Sequence, residues 1–193
     1  LGYHAPNTGS TEQTECAAGT FADETGLAQC KDAAPGHFVA STGASSETPC
    51  PPTQYQPLGR QSSCLLTDPG HYTTSSGSIE QTECTWGYYQ SEYGTVRCVT
   101  STPGHYVNQS GAAEQTPCSP GSYQNQYVKQ ECIEAFEGYF VAEAASPSQT
   151  RCPLGYYTDS RGSVECNLVS PGHYTTTEGA AAQTPCSYGT YQP

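Results

Sequence analysis

The sequence predicts an all-β to irregular, disulfide-rich fold, an elongated ladder of hairpin-like modules of about 17 residues, and three observations predict it. Eleven cysteines recur with alternating gaps of 14 and 20 residues, an aromatic residue recurs every 17, and the aliphatic content is too low for an ordinary core.

The cysteines stand at Cys16, Cys30, Cys50, Cys64, Cys84, Cys98, Cys118, Cys132, Cys152, Cys166 and Cys186. Regular cysteines at this density belong to an oxidising compartment, because cytosolic thiols are kept reduced. The expected location is therefore extracellular or at the cell surface. Leucine, isoleucine, valine and phenylalanine together number 21 of 193 residues, well under the roughly one-fifth below which a packed core becomes doubtful. With a net charge of −12, such a composition predicts disorder unless something other than apolar burial offsets the chain entropy. Disulfides are the available device.

The aromatic series runs Phe21, Phe38, Tyr55, Tyr72, Tyr89, Tyr106, Tyr123, Phe140, Tyr157, Tyr174 and Tyr191. Two positions before each stands a glycine, except at Thr53, and five positions after the aromatic a second glycine is common, as at Gly43, Gly77 and Gly111. Glycine at fixed offsets marks turns, and the short runs of Tyr, Thr, Val and Gln between them read as brief strands. No stretch carries helical periodicity. The aromatic is the one large apolar group each module can bury. A narrow β-solenoid with one 17-residue coil per turn is the architectural alternative, with a rise near one strand spacing.

In alternate modules cysteines lie five positions before and nine after the aromatic, while in the others both are replaced: Thr67 and Gln81, Ser101 and Gln115, Ala135 and Gln149, Val169 and Gln183. Positions filled and vacated together are those of bonded partners. The expected bridges are Cys16–Cys30, Cys50–Cys64, Cys84–Cys98, Cys118–Cys132 and Cys152–Cys166, with Cys186 bonded to a residue beyond Pro193. A rival pairing across the 20-residue gaps, beginning Cys30–Cys50, strands Cys16 instead and stays open on spacing alone. Residues 1–193 then form one continuous tandem array, with stapled modules 16–30, 50–64, 84–98, 118–132 and 152–166, cystine-free modules between them and a partial module at each end. Each module touches only its neighbours in such arrays.

A cysteine followed by glycine at three, an aromatic at five and cysteine at fourteen, as in Cys152, Gly155, Tyr157 and Cys166, resembles the ephrin-receptor-like cysteine-rich repeats, themselves similar to the first half of tumour-necrosis-factor-receptor modules. The resemblance implies that cysteines 14 apart pair within a module, and that the modules form an elongated ladder. The sequence departs from that family by keeping one cysteine where the junction usually carries Cys-x-x-Cys. Receptors, adhesins and appendages all use such repeats, so the resemblance carries no function with it.

Other motifs are read with their plain alternatives. His37, His71, His105 and His173 occupy Pro-Gly-His-aromatic turns, with Tyr139 in the fifth such place; two modules separate them, so they read as turn residues and not as ligands of one metal. Asn108-Gln109-Ser110 is the one N-glycosylation sequon. The clusters 73–76 and 175–177 are O-glycosylation candidates, and Trp86, the sole tryptophan, is expected to pack locally. Zinc patterns need cysteines or histidines two to five apart, which this periodicity lacks. Catalytic groups are singular whereas these residues repeat, so an enzyme and a cofactor are not expected. The acidic balance, 18 carboxylates against 6 basic side chains, argues against nucleic acid, and no run of about twenty apolar residues predicts a membrane span.

The expected function is that of a structural extracellular repeat protein, a fibre, surface appendage or stalk associating with itself through repetitive faces. The alternative is a receptor-like ectodomain that binds a protein or a glycan.

Overall fold

A computed structural model describes residues 1–189; the repeat aromatic Tyr191 lies outside the described residues. Those residues contain no helix and 22 two-residue strands, joined into 11 two-stranded antiparallel hairpins. The hairpin of residues 20–21 with 31–32 sets Phe21 opposite Lys31, and that of residues 105–106 with 116–117 sets Tyr106 opposite Thr116. The same register recurs throughout, and His4 takes the aromatic's place in the first hairpin. Strands pair within a module and antiparallel, which gives the predicted all-β, disulfide-rich class and excludes the solenoid alternative, whose coils pair in parallel.

Each hairpin is entered through a tight turn. The His37 N–H donates to the Ala34 carbonyl at 3.0 Å across Pro35-Gly36, and Gly36 has φ +81°. Proline followed by a residue of positive φ is the signature of a type II turn, in which glycine is the residue free of Cβ strain. Thr53 holds the same place at φ 87°, where a β-branched side chain is strained by roughly 1–3 kcal/mol. Glycine there costs back roughly 0.5–1 kcal/mol in unfolded-chain entropy. Thr53→Gly is expected to raise stability by about 1 kcal/mol, read as a higher denaturation midpoint; an unchanged or lower midpoint would show that the Thr53 strain is relieved elsewhere.

The chain divides into two compact units, one of residues 1–84 with 90–98 and the other of residues 85–89 with 99–193. In the first, successive modules are tied by backbone bonds: Gly19 N–H to Val39 carbonyl (2.8 Å), Ala22 N–H to Ala44 carbonyl (3.0 Å) and Gly43 N–H to Cys16 carbonyl (2.9 Å). In the second, the same three bonds join Gly104 to Gln124 (2.7 Å), Val107 to Lys129 (2.8 Å) and Ala145 to Cys118 (2.9 Å). Because only peptide groups take part, these ties tolerate any side chain compatible with the turns.

Five disulfides join Cys16–Cys30, Cys50–Cys64, Cys84–Cys98, Cys118–Cys132 and Cys152–Cys166, with Cα atoms 5.7–5.8 Å apart. Cys186 is half-buried and has no disulfide partner among the described residues. The core is not where aromatic periodicity placed it. Of the described repeat aromatics only Tyr123 is buried, and the others lie half-exposed on their hairpins. The buried positions are the residue after the aromatic (Ala22, Val39, Gln56, Thr73, Gln90, Val107, Gln124, Val141, Thr158) and the first-cysteine position, filled by Ala33, Thr67, Ser101 or Ala135 where cysteine is absent. A two-residue strand has one side chain per face, so the flat ring covers its own hairpin while the next residue points beneath it.

Candidate functional site

Stapled and cystine-free modules solve the same closure differently. Where the second cysteine is missing, an amide or carboxylate oxygen accepts a backbone N–H thirteen residues back: Glu47 from Ala34 (2.7 Å), Gln81 from Asp68, Gln115 from Thr102 and Gln149 from Phe136 (2.8 Å each), and Gln183 from Ser170 (2.7 Å). In three of the five bridged modules a buried glutamine braces the loop the bridge closes: Gln56 donates to the Ser63 carbonyl and accepts from Leu58 N–H, Gln90 does so with Arg97 and Glu92, and Gln124 with Glu131 and Gln126. Glutamine in place of cysteine was visible in the sequence, though not its role.

The outer strands alternate in chemistry. In three stapled modules they carry exposed aliphatics, Leu65 and Leu66 in the first unit, Val99 and Leu168 in the second, the last 66 % exposed, whereas module 16–30 presents Lys31-Asp32 and Ile133 of module 118–132 is half-buried. In cystine-free modules they read Thr48-Pro49, Thr82-Glu83, Thr116-Pro117, Thr150-Arg151 and Thr184-Pro185. Proline removes the donor that another strand would pair with, which blunts those edges. Trp86 does not pack as expected: it is 57 % exposed at the second place of its turn, where a side chain points outward.

The repeated histidines are spent on their turns. In His37, His71, His105 and His173 the Nδ1–H donates to the carbonyl of Pro35, Pro69, Pro103 and Pro171 at 3.1–3.4 Å. Among the described residues, the group of metal-ligating types that comes together is His4 with Cys16 and Cys30, whose sulfurs are bonded to each other. Of the O-glycosylation candidates, Thr73 is buried with its hydroxyl accepting Thr53 N–H, and Thr175 accepts Gly155 N–H. Asn108, by contrast, is exposed together with Gln109 and Ser110.

Two grooves among the described residues bear on binding. One in the first unit, about 830 Å³, is lined by His4, Glu15, Lys31, Asp32 and Arg60. Its charges largely answer each other. Lys31 contacts Asp23 at 2.8 Å and Arg60 lies 3.7 Å from Asp32; the Lys31 hydrogen bond holds the Asp23 carboxyl below its usual range, and Asp23 raises Lys31 in turn. The Tyr3 phenol, donating to Glu15 at 2.8 Å, is pushed up by that bond and by the carboxylate charge, and burial pushes Tyr55 up. The other groove, about 770 Å³ in the second unit, has Asn108 on its wall beside Tyr106, Ser122 and Lys129. No helix among the described residues is long and apolar enough to cross a membrane.

Residues 138–186 match the family model described as tyrosine-protein kinase ephrin type A/B receptor-like. That model is a receptor-like cysteine-rich module and not a catalytic domain. The bridge and register inside the matched stretch, Cys152–Cys166 with Tyr156–Tyr157 against Asn167–Leu168, recur in the four other stapled modules. No curated protein matches the chain. Disulfides and family together point to an extracellular or cell-surface location.

Proposed function

We propose that this chain of ephrin-receptor-like cysteine-rich repeats is a secreted structural element, one continuous tandem array in sequence, that associates with further copies of itself as a fibre, appendage or stalk. The observation that carries the reading is the alternation of the outer strands. Exposed aliphatics stand on three of the five stapled modules, at Leu65-Leu66, Val99 and Leu168, whereas proline and charge occupy the strands between. A repeated apolar spot suits a repeated contact, since lattices and fibres reuse one surface many times. The contact is by side chains, and Pro49, Pro117 and Pro185 on the intervening strands lack the donors that would let edge pairing run on between stapled modules. The sequon at Asn108 makes the chain a glycoprotein in this reading.

Electron microscopy of secreted protein tests it. Filaments or bundles with an axial repeat of two modules or a multiple are expected, and Leu65→Asp with Leu66→Asp should dissolve them while leaving the folded modules intact. Monodisperse particles that do not associate would sink the proposal.

A second reading is favoured by the family match: a receptor-like module that binds a protein ligand. It expects saturable binding of one partner per chain, weakened by substitution of a locally distinctive residue such as Trp86, whose exposed ring is the kind of anchor that interfaces bury.

A further inference from the structure

Asn108 follows the hairpin strand that carries Tyr106, and the three sequon residues are all exposed, so the amide nitrogen is open to a transferase. It also lines the 770 Å³ groove of the second unit, whose wall brings in Ser119, Ser122, Lys129 and Gln130 from the following module. That volume falls in the range of about 300–1,000 Å³ typical of small-ligand sites. The lining suits a sugar: the half-buried Tyr106 ring gives an apolar face, Gln130 a polar amide and Lys129 an ammonium. Lys129 has no carboxylate within ion-pair distance among the described residues, unlike Lys31 and Arg60 in the other groove.

We propose that Asn108 carries an N-linked glycan whose proximal N-acetylglucosamine units fold back into this groove, cover the Tyr106 ring and hydrogen-bond to Gln130 and Lys129. Attachment joins the Asn108 amide nitrogen to the anomeric carbon of an oligosaccharide activated as its glycosyl diphosphate. The C–O bond to phosphate breaks as the C–N bond forms, the diphosphate leaves with the electron pair and the amide gives up one proton. Weak sugar contacts suffice afterwards, because the tether holds the first rings at an effective concentration in the millimolar range.

The seat rests on the reading of the chain as a glycoprotein, and two measurements separate the two failures. Intact-mass analysis of protein secreted from a eukaryotic host reads occupancy, which Asn108→Gln and Ser110→Ala should each abolish; an unmodified Asn108 overturns both readings. With the glycan trimmed to its first N-acetylglucosamine, nuclear Overhauser contacts between the N-acetyl methyl group and the Tyr106 ring are expected. The melting temperature should exceed that of the Asn108→Gln protein by a few degrees, and Lys129→Ala should shrink that difference without lowering the glycan-free melting temperature. An occupied site with no sugar-to-Tyr106 contact and no melting difference overturns the seat alone.

Discussion

Gly104→Ala is expected to destabilise the second unit by about 4 kcal/mol, more than any surface change in the chain. Gly104 sits at φ +84°, and a Cβ built on it meets the Ala145 carbonyl oxygen at 2.0 Å. The obstacle is backbone, so no rotamer relieves it. Positive φ in alanine costs roughly 1–2 kcal/mol by itself. Making room then separates the modules tied by the bonds from Gly104 to Gln124, Val107 to Lys129 and Ala145 to Cys118, each worth roughly 1 kcal/mol net. Gly162 is the control, with φ +70° and no atom nearer than 4.0 Å to the place its Cβ would take; Gly162→Ala should cost only the backbone strain of roughly 1–2 kcal/mol. Repeat arrays need not unfold in one step, so amide hydrogen exchange is the better readout. Protection at Val107 and Ala145 should fall in Gly104→Ala and persist in Gly162→Ala. Equal losses from the two substitutions would refute the close approach.

That glycine illustrates what the sequence could and could not disclose. The periods of 17 and 34 residues made the hairpins and their turns legible, because a turn is a local device with its own residue signature. Gly104 and Ala145 are 41 residues apart, a distance belonging to neither period, and they join modules two apart, which corrects the expectation that each 17-residue module touches only its immediate neighbours. The buried position after the aromatic was hidden for another reason: Val107, Gln124 and Thr158 share burial but not polarity. Backbone groups of the module's own loop lie within reach of it, so glutamine is satisfied there as readily as valine is packed, and no hydrophobic pattern marks it. For the candidate sites, the sequon at Asn108 was plain, whereas Lys129 lies 21 residues away and reaches the same groove only through the stacking of the following module. The four glutamines were in view as cysteine replacements and Glu47 was not, and a side-chain oxygen accepting a backbone N–H across thirteen residues leaves no pattern beyond the substitution itself.

The glutamine clips also fix what a missing bridge should cost. Cys118→Ala with Cys132→Ala removes closure of a 15-residue loop, worth roughly 3 kcal/mol in the chain-entropy account. Alanine itself fits at the first position, since Ala33 and Ala135 fill the equivalent buried place in clipped modules. The expected loss is therefore the loss of the staple and not of packing. Cys118→Ala with Cys132→Gln converts the module to the clipped kind, setting the glutamine oxygen to accept Ser119 N–H as Gln115 accepts that of Thr102. A hydrogen bond of this type returns roughly 1 kcal/mol. Stability measured by denaturant should rank native above the glutamine variant and the glutamine variant above double alanine, with Gln115→Ala in the native chain losing about as much as the clip restores. A glutamine variant no more stable than double alanine would mean that the clips merely fill a vacated position. In the expected order, the cystine-free modules close through their own side chains, and a strand of alternating bridges stays folded without a bridge in every module.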